Sequence, residues 1–368
     1  MLRWRRTLKK MIDNLAKHLR LSLLPCVAAL ALAALLCGPM PAAAQAGSQL
    51  YGVHGVSPLA VRQGILGTCY FHASLAEVAK VAPDTLRNDI TPNPGGGYKV
   101  HFFQGPDEVV FDTDIDYGRA HSYDHSEGSW VLVLMRGYAQ RALRQSIVRA
   151  INESAMIPSF VKPMTLAWLD QSSLLLVAYD RAIRAVVSQD GDLDKTAFKA
   201  KLTAQAGVMG IPAAQVLAFT GFLDEKGYFD QLALTVRQNG EVFGAYKSLG
   251  EGGIPVRVIE SFLGGASAGQ VSDTPALLEQ LRLLHQGSVA VVAGTKNAAP
   301  TPDFEAQNKN WWVDAHAYSV LDFDEGAQTI TLRNPWGARP GPDGVFTIPL
   351  AVFLQAFDAY SYSKPPAQ

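Results

Sequence analysis

The chain has 368 residues, 48% hydrophobic and 18% charged, with 32 basic and 33 acidic side chains. That composition is ordinary for a globular protein and long enough for a sizeable core in one large domain or two smaller ones, which excludes a disordered or low-complexity chain.

Residues 1–46 read as an export leader. Arg3, Arg5, Arg6, Lys9, Lys10, Lys17 and Arg20 precede an apolar run, "LSLLPCVAALALAALLCG", and then "PAAAQAG". Ala44 and Ala46 fit a small-residue cleavage site, with Gly47 as the new N-terminus. An uncleaved anchor is the alternative, but the run is short for a membrane span and Pro25 interrupts it. Cleavage removes seven basic residues and one acidic residue, leaving 25 against 32, a net of −7. Such a balance argues against nucleic acid as the main partner, because phosphate backbones demand clustered cations. The expected product is exported, periplasmic or secreted, without a stable membrane anchor.

Cys26 and Cys37 leave with the leader, so Cys69 has no partner within the remaining chain. A lone exported thiol is a buried small hydrophobe, an intermolecular bridge or a nucleophile. It sits in "VRQGILGTCYFHASLAEVAK", where Gly64 and Gly67 break the chain and helical spacing begins at Tyr70 (Phe71, Leu75, Val78, Ala79), closed by Pro83. That places Cys69 at a helix N-terminus, whose N–H groups and dipole favour a thiolate.

"YKVHFF" and "EVVFDTD" read as the strands of a hairpin turning at Gly105-Pro106, and "GSWVLVLMRGYAQRALRQSIVRAINES" reads as a helix. In "AHSYDHSEG", His121 and His125 stand four apart around Asp124; that spacing suits a metal on a helix, yet the stretch reads as loop. Residues from about 160 to 240 are mostly helical. Within them Asp190, Asp192 and Asp194 alternate as in a calcium loop. Lys195 and Lys201 occupy the positions where such a loop needs its glycine and its bidentate acid, so helix capping is the simpler reading. "YKSLGEGGIP" is a glycine-rich turn before a short helix, "DTPALLEQLRLLHQG" a capped amphipathic helix and "SVAVVAG" a buried strand. "AHAYSVLDFDEGAQTITLRNPWG" alternates on both sides of Glu325-Gly326 as a hairpin does, and "GVFTIPLAVFLQAF" adds a strand and a last helix.

Thiol chemistry needs a base, a group that orients the base, and donors for the oxyanion. His316 and Asn334 lie on opposite arms of the terminal hairpin and suit the first two roles. Gln63 and the Cys69 N–H suit the third, and Trp336 is placed to cover the histidine–asparagine bond. Singly each has a plain reading: a structural histidine, an Asn-Pro turn, a surface glutamine.

Together these motifs resemble the calpain-type, papain-like cysteine peptidases. "QGILGTCYFHASLA" resembles their cysteine motif, with glutamine six residues before the nucleophile; "HAYSV" resembles the histidine motif and "RNPWG" the asparagine motif. The resemblance implies Cys69 as nucleophile, His316 as base, Asn334 as orienting residue and Gln63 as oxyanion donor. It also implies an α+β, papain-like two-lobed fold, with a helical lobe carrying Cys69 and a β-rich lobe carrying His316 and Asn334. "YKSLGEGGIPVRVIESFLGG" resembles the segment lining the substrate cleft, which points to Gly252 and Gly253. Tyr70 replaces the family's tryptophan, Thr68 stands before the cysteine in place of an acidic or small residue, "MRGY" departs from the tryptophan-led helix, and Ala315 replaces the glycine before the histidine, adding a methyl to the cleft wall. Residues 47–368 are thus read as one peptidase domain, with about 141–240 as a helical insertion. The implied partner is a protein or peptide substrate. No cofactor is required, and the acidic loops of the family's calcium sites are not traceable. The rival functions are another thiol acyl-transfer enzyme, amidase or transglutaminase-like, and a non-catalytic exported binding protein.

Overall fold

The computed structural model describes residues 50–153, 163, 173–186, 194–217, 237–238, 241–242, 247–250 and 252–365. The expected leader lies outside them, as do Asp190 and Asp192. Helix α1 (Cys69–Val81) ends where Ala82 meets Pro83, whose ring and missing N–H cannot continue a helix; Pro83 instead opens α2 (Pro83–Asn88). Every residue from Tyr70 to Ala79 is buried. α1 is therefore covered on all sides, where the spacing alone indicated a single apolar face.

Strands β1 (Ile90–Pro92), β2 (Tyr98–Val100) and β3 (Glu108–Val110) form an antiparallel sheet. The second arm of this expected hairpin is shorter than its sequence pattern. Phe111 is the N-cap residue of α3 (Asp112–Ala120), and Asp112 and Asp114 occupy the first turn, where carboxylates favour the positive helix end over an extended strand. Helix α4 (Trp130–Glu153) runs on through position 141, so the expected insertion boundary falls inside a continuous helix.

Beyond it lie α5 (Ser173–Val186) and α6 (Lys195–Val208). α5 is docked by buried charge. Arg136 of α4 meets Asp180 at 2.5 Å with both side chains fully enclosed, and Arg184 bridges Asp180 and Asp114 at 2.8 and 2.9 Å. Asp194 caps α6 by accepting the Thr196 and Ala197 N–H groups at 2.9 and 3.0 Å.

Two short strands, β4 (Arg237–Gln238) and β5 (Glu241–Val242), and a single turn, α7 (Lys247–Gly250), precede α8 (Pro255–Leu263). Then come β6 (Ala266–Gln270), α9 (Thr274–His285), β7 (Val291–Thr295) and α10 (Pro302–Asn308). The chain closes with β8 (Ala317–Asp324), β9 (Thr329–Arg333), β10 (Val345–Pro349), α11 (Leu350–Ala356) and β11 (Phe357–Ser363). A six-stranded antiparallel sheet has the order β10-β9-β8-β7-β11-β6.

Helices and antiparallel sheets make this an α+β chain with two hydrophobic cores. One joins α1 (Phe71, Leu75, Val78) to α4 (Trp130, Leu134) and α8 (Phe262). The other lies between the large sheet (Tyr318, Phe323, Phe357) and α9 and α11 (Leu277, Leu281, Phe353). Each fully enclosed aromatic contributes about 2–3 kcal/mol of burial. None of the helices among the described residues is long and apolar enough to cross a membrane.

Candidate active site

The hydroxyl of Ser319 in β8 donates to the Ala73 carbonyl of α1 at 3.0 Å. Ala73 lies one turn after Cys69, and Ser319 lies three residues after His316. A second contact, nearer the start of both elements, sets Cys69 by the first residue of β8, next to His316. The Ala317 backbone N–H points at the sulfur. Cys69 is a free thiol, half-buried at the first position of α1.

His316 is seated by a backbone exchange with β7. Its N–H donates to Thr295 Oγ1, and its carbonyl accepts the Thr295 N–H, both at 2.9 Å. Its Nε2 lies 3.1 Å from Asn334 Oδ1. The Trp336 N–H donates to that same oxygen at 3.1 Å. With the amide reversed, an NH₂ would face an N–H, so the oxygen points inward and His316 Nε2 carries the proton. Nδ1 is left with a lone pair and makes no hydrogen bond among the described residues. The Trp336 ring lies 4.9 Å from the imidazole and is 44% exposed, shielding the His316–Asn334 bond on its outer side. Ala315, exposed just before the histidine, is held at φ +47°, a left-handed conformation that favours glycine.

Burial governs the electrostatics. It pushes the Cys69 thiol up, against the partial offset of the Ala317, Tyr70 and Cys69 N–H groups. It pushes His316 down to about 4, against the Asn334 hydrogen bond. Both directions favour a neutral thiol beside a neutral imidazole. The thiolate expected from the helix N-terminus alone is outweighed by loss of solvent. An unprotonated Nδ1 is a group able to take a proton from a neutral thiol.

Gln63 is buried, and its N–H donates to Pro335 O at 2.8 Å, which ties it to the asparagine loop. Its Nε2 donates to Leu66 O at 2.6 Å, leaving a second amide hydrogen free of that bond; its Oε1 is buried without a partner. Gly253 lies flat on Tyr70: a Cβ there would come within 2.4 Å of the ring. Gly252 and Gly253, with Ile254, Arg141, Arg257 and Glu260, line a cavity of about 670 Å³ beside Tyr70.

His121 and His125 do not converge as ligands. His121 Nδ1 donates to Tyr117 O at 2.8 Å, and Asp124 turns inward instead. Among the described residues no group of three or more His, Cys, Asp or Glu side chains is arranged to hold a metal. Asp124 meets His72, a residue the motif reading passed over. The available signal was an imidazole one turn after the cysteine in a mostly apolar stretch, "CYFHASLA".

No family model and no curated protein matches the chain. Among solved structures it is similar to the crystal structure of PepW from Lactobacillus rhamnosis HN001 (DR20), determined as the selenomet derivative. The two share 11% identity, with 92% of this chain and 89% of that chain covered and a TM-score of 0.32. A likeness at that level carries no weight for fold or activity.

Proposed function

We propose that this chain is an exported cysteine endopeptidase of calpain-like type, with the α+β elements arranged as the two lobes of a papain-like fold. The observation that carries this reading is the Asn334 amide. Two N–H groups hold its oxygen, so the imidazole keeps Nε2 protonated and leaves Nδ1 free to act as a base. A structural histidine on a strand end has no need of that arrangement beside a free thiol.

In this reading His316 Nδ1 takes the thiol proton as the Cys69 sulfur bonds to the peptide carbonyl carbon. The π pair moves to oxygen, where the Cys69 N–H and the Gln63 amide stabilise it. Collapse breaks the C–N bond, and the departing amine takes the proton from His316. The thioester left on Cys69 is hydrolysed by a water that gives its proton to Nδ1; sulfur leaves and regains a proton. The cavity beside Tyr70, with Gly252 and Gly253 at its wall, receives a substrate side chain; Ala315 is not among the residues that line it.

The test compares the mature protein with Cys69→Ala on an unfolded protein substrate, with and without calcium, and identifies products by mass spectrometry. Backbone cleavage that vanishes in the variant is expected. Side-chain deamidation or crosslinking with an intact backbone contradicts peptide-bond hydrolysis and assigns the thiol to another acyl transfer.

A further inference from the structure

The mechanism leaves one buried pair unused. His72 is fully buried one turn below Cys69, and the Asp124 side chain opposite it is 3% exposed. The ring's Nδ1 donates to the Thr68 carbonyl at 3.0 Å, and its Nε2 lies 3.1 Å from Asp124 Oδ1. Each ring nitrogen faces an oxygen, so the imidazole links the Thr68 carbonyl to Asp124, one arm on each.

Both arms reach the groups assigned to the oxyanion. The Thr68 carbonyl and the Cys69 N–H belong to one planar peptide unit. Holding that carbonyl inward, in addition to its helical bond from the His72 N–H at 3.0 Å, directs the Cys69 N–H outward toward the cleft. The other arm ends on the segment alongside Gln63. Asp124 pairs with Gln63 in an antiparallel bridge, and the flanking bonds Ile65 N–H to Ser122 O and His125 N–H to Arg62 O are each 2.9 Å. Ser126 Oγ donates to Asp124 Oδ1 at 2.5 Å and accepts the Arg62 N–H at 2.7 Å. Gly64 lets these two backbones meet: a Cβ there would lie 2.0 Å from Ser122 O.

We infer that His72 and Asp124 are positioning residues for the oxyanion side of the site, setting the Cys69 N–H and the Gln63 amide relative to each other through one buried link. The inference rests on the peptidase reading and adds to it the cause of the donors' alignment. Asp124 thereby has a role other than metal ligation, and the buried imidazole of the cysteine helix has a reason to be there.

The experiment measures kcat and KM on an unfolded protein substrate together with the rate of Cys69 alkylation by iodoacetamide, a reaction that forms no oxyanion. Removing one oxyanion donor costs about a hundred- to a thousand-fold, so misaiming both in Asp124→Ala is expected to lower kcat by about ten- to a hundred-fold. KM and the alkylation rate stay within about two-fold, because sulfur, imidazole and binding surface are untouched. Asp124→Asn keeps a hydrogen-bonding partner for Nε2 and is expected to retain most of kcat. Should Asp124→Ala fail to fold, His72→Gln carries the same test, since one amide cannot serve both Asp124 and the Thr68 carbonyl. Unchanged kcat in the folded variant overturns the inference alone. So does a parallel fall of kcat and alkylation, which indicates general damage to the site. A wild-type protein that is alkylated yet cleaves nothing overturns the peptidase reading, and the inference with it.

Discussion

Glu77 lies two turns beyond Cys69 on α1, fully buried, and burial pushes its carboxyl up to about 8, with Lys80, the Val291 N–H and Arg333 only partly offsetting the loss of solvent. The Val291 N–H donates to Oε2 at 3.4 Å, while Oε1 has no partner. In the folded chain this acid keeps its proton through neutral pH; in the unfolded chain it releases it near 4.5. Between those values the native state binds more protons, so stability falls as pH rises. The contribution is fully present below about 4.5 and lost by about 8. A gap of about 3.5 units at 1.36 kcal/mol each gives about 5 kcal/mol, an upper figure because Lys80 can approach an ionised carboxylate. Glu77→Gln has nearly the same shape and does not ionise. Urea unfolding of both proteins at several pH values from 5 to 8.5 should show the wild type losing several kcal/mol relative to the variant across that window. Parallel stability curves would refute the reasoning, because they would mean that Glu77 ionises alike in both states.

Three further outcomes are expected. Ala315→Gly relieves a left-handed alanine costing about 1–2 kcal/mol while adding about 0.5–1 kcal/mol of unfolded-state freedom; Tm should rise by a degree or more, and a fall would contradict the strain at φ +47°. Asp180→Ala strips the enclosed carboxylate that Arg136 and Arg184 share and should cost about 3–5 kcal/mol; a loss under about 1 kcal/mol in chemical unfolding would show that α5 is not held by charge. Asn334→Asp sets a carboxylate where an amide oxygen lies 3.1 Å from His316 Nε2, raising the imidazole by about 1–3 units. The base works unprotonated, so the acid limb of kcat/KM should move from near 4 toward higher pH; an unmoved limb would remove His316 as the base.

The elements readable from the sequence were those with strong local signals. α1 ends before Pro83, α9 begins where the sequence offers Asp273 or Thr274 as a cap, with Asp273 the one used, and the β8–β9 hairpin alternates around Glu325-Gly326. β6 and β11 were not singled out. "ASAGQ" has almost no apolar content, and "FDAYSYS" follows a helix without a break, yet β11 runs inside the sheet between β7 and β6. Their pairing is long-range, and only the partner strands make those residues extended. "FDTD" misled for the opposite reason: its β-like residues continue a strand pattern, while two carboxylates at a helix start decide the outcome.

Residue identity located the candidate site but not its charge state. Cysteine, histidine, asparagine and glutamine were each legible as groups with a chemical role. A helix N-terminus beside a thiol indicated a stored thiolate, because sequence conveys the dipole and not the burial opposing it. In the folded chain the sulfur is reached by three backbone N–H groups and is still pushed up, and the imidazole at its side is pushed down to about 4. Both shifts favour the neutral forms, and in the proposed mechanism charge arises when the proton passes between the two groups. In the proposed mechanism reactivity then depends on the groups that receive the negative charge after attack more than on a resting ion pair. That places the energetic weight on the Cys69 N–H and the Gln63 amide, and behind them on whatever aims them. That is the role inferred above for His72, which touches neither sulfur nor imidazole.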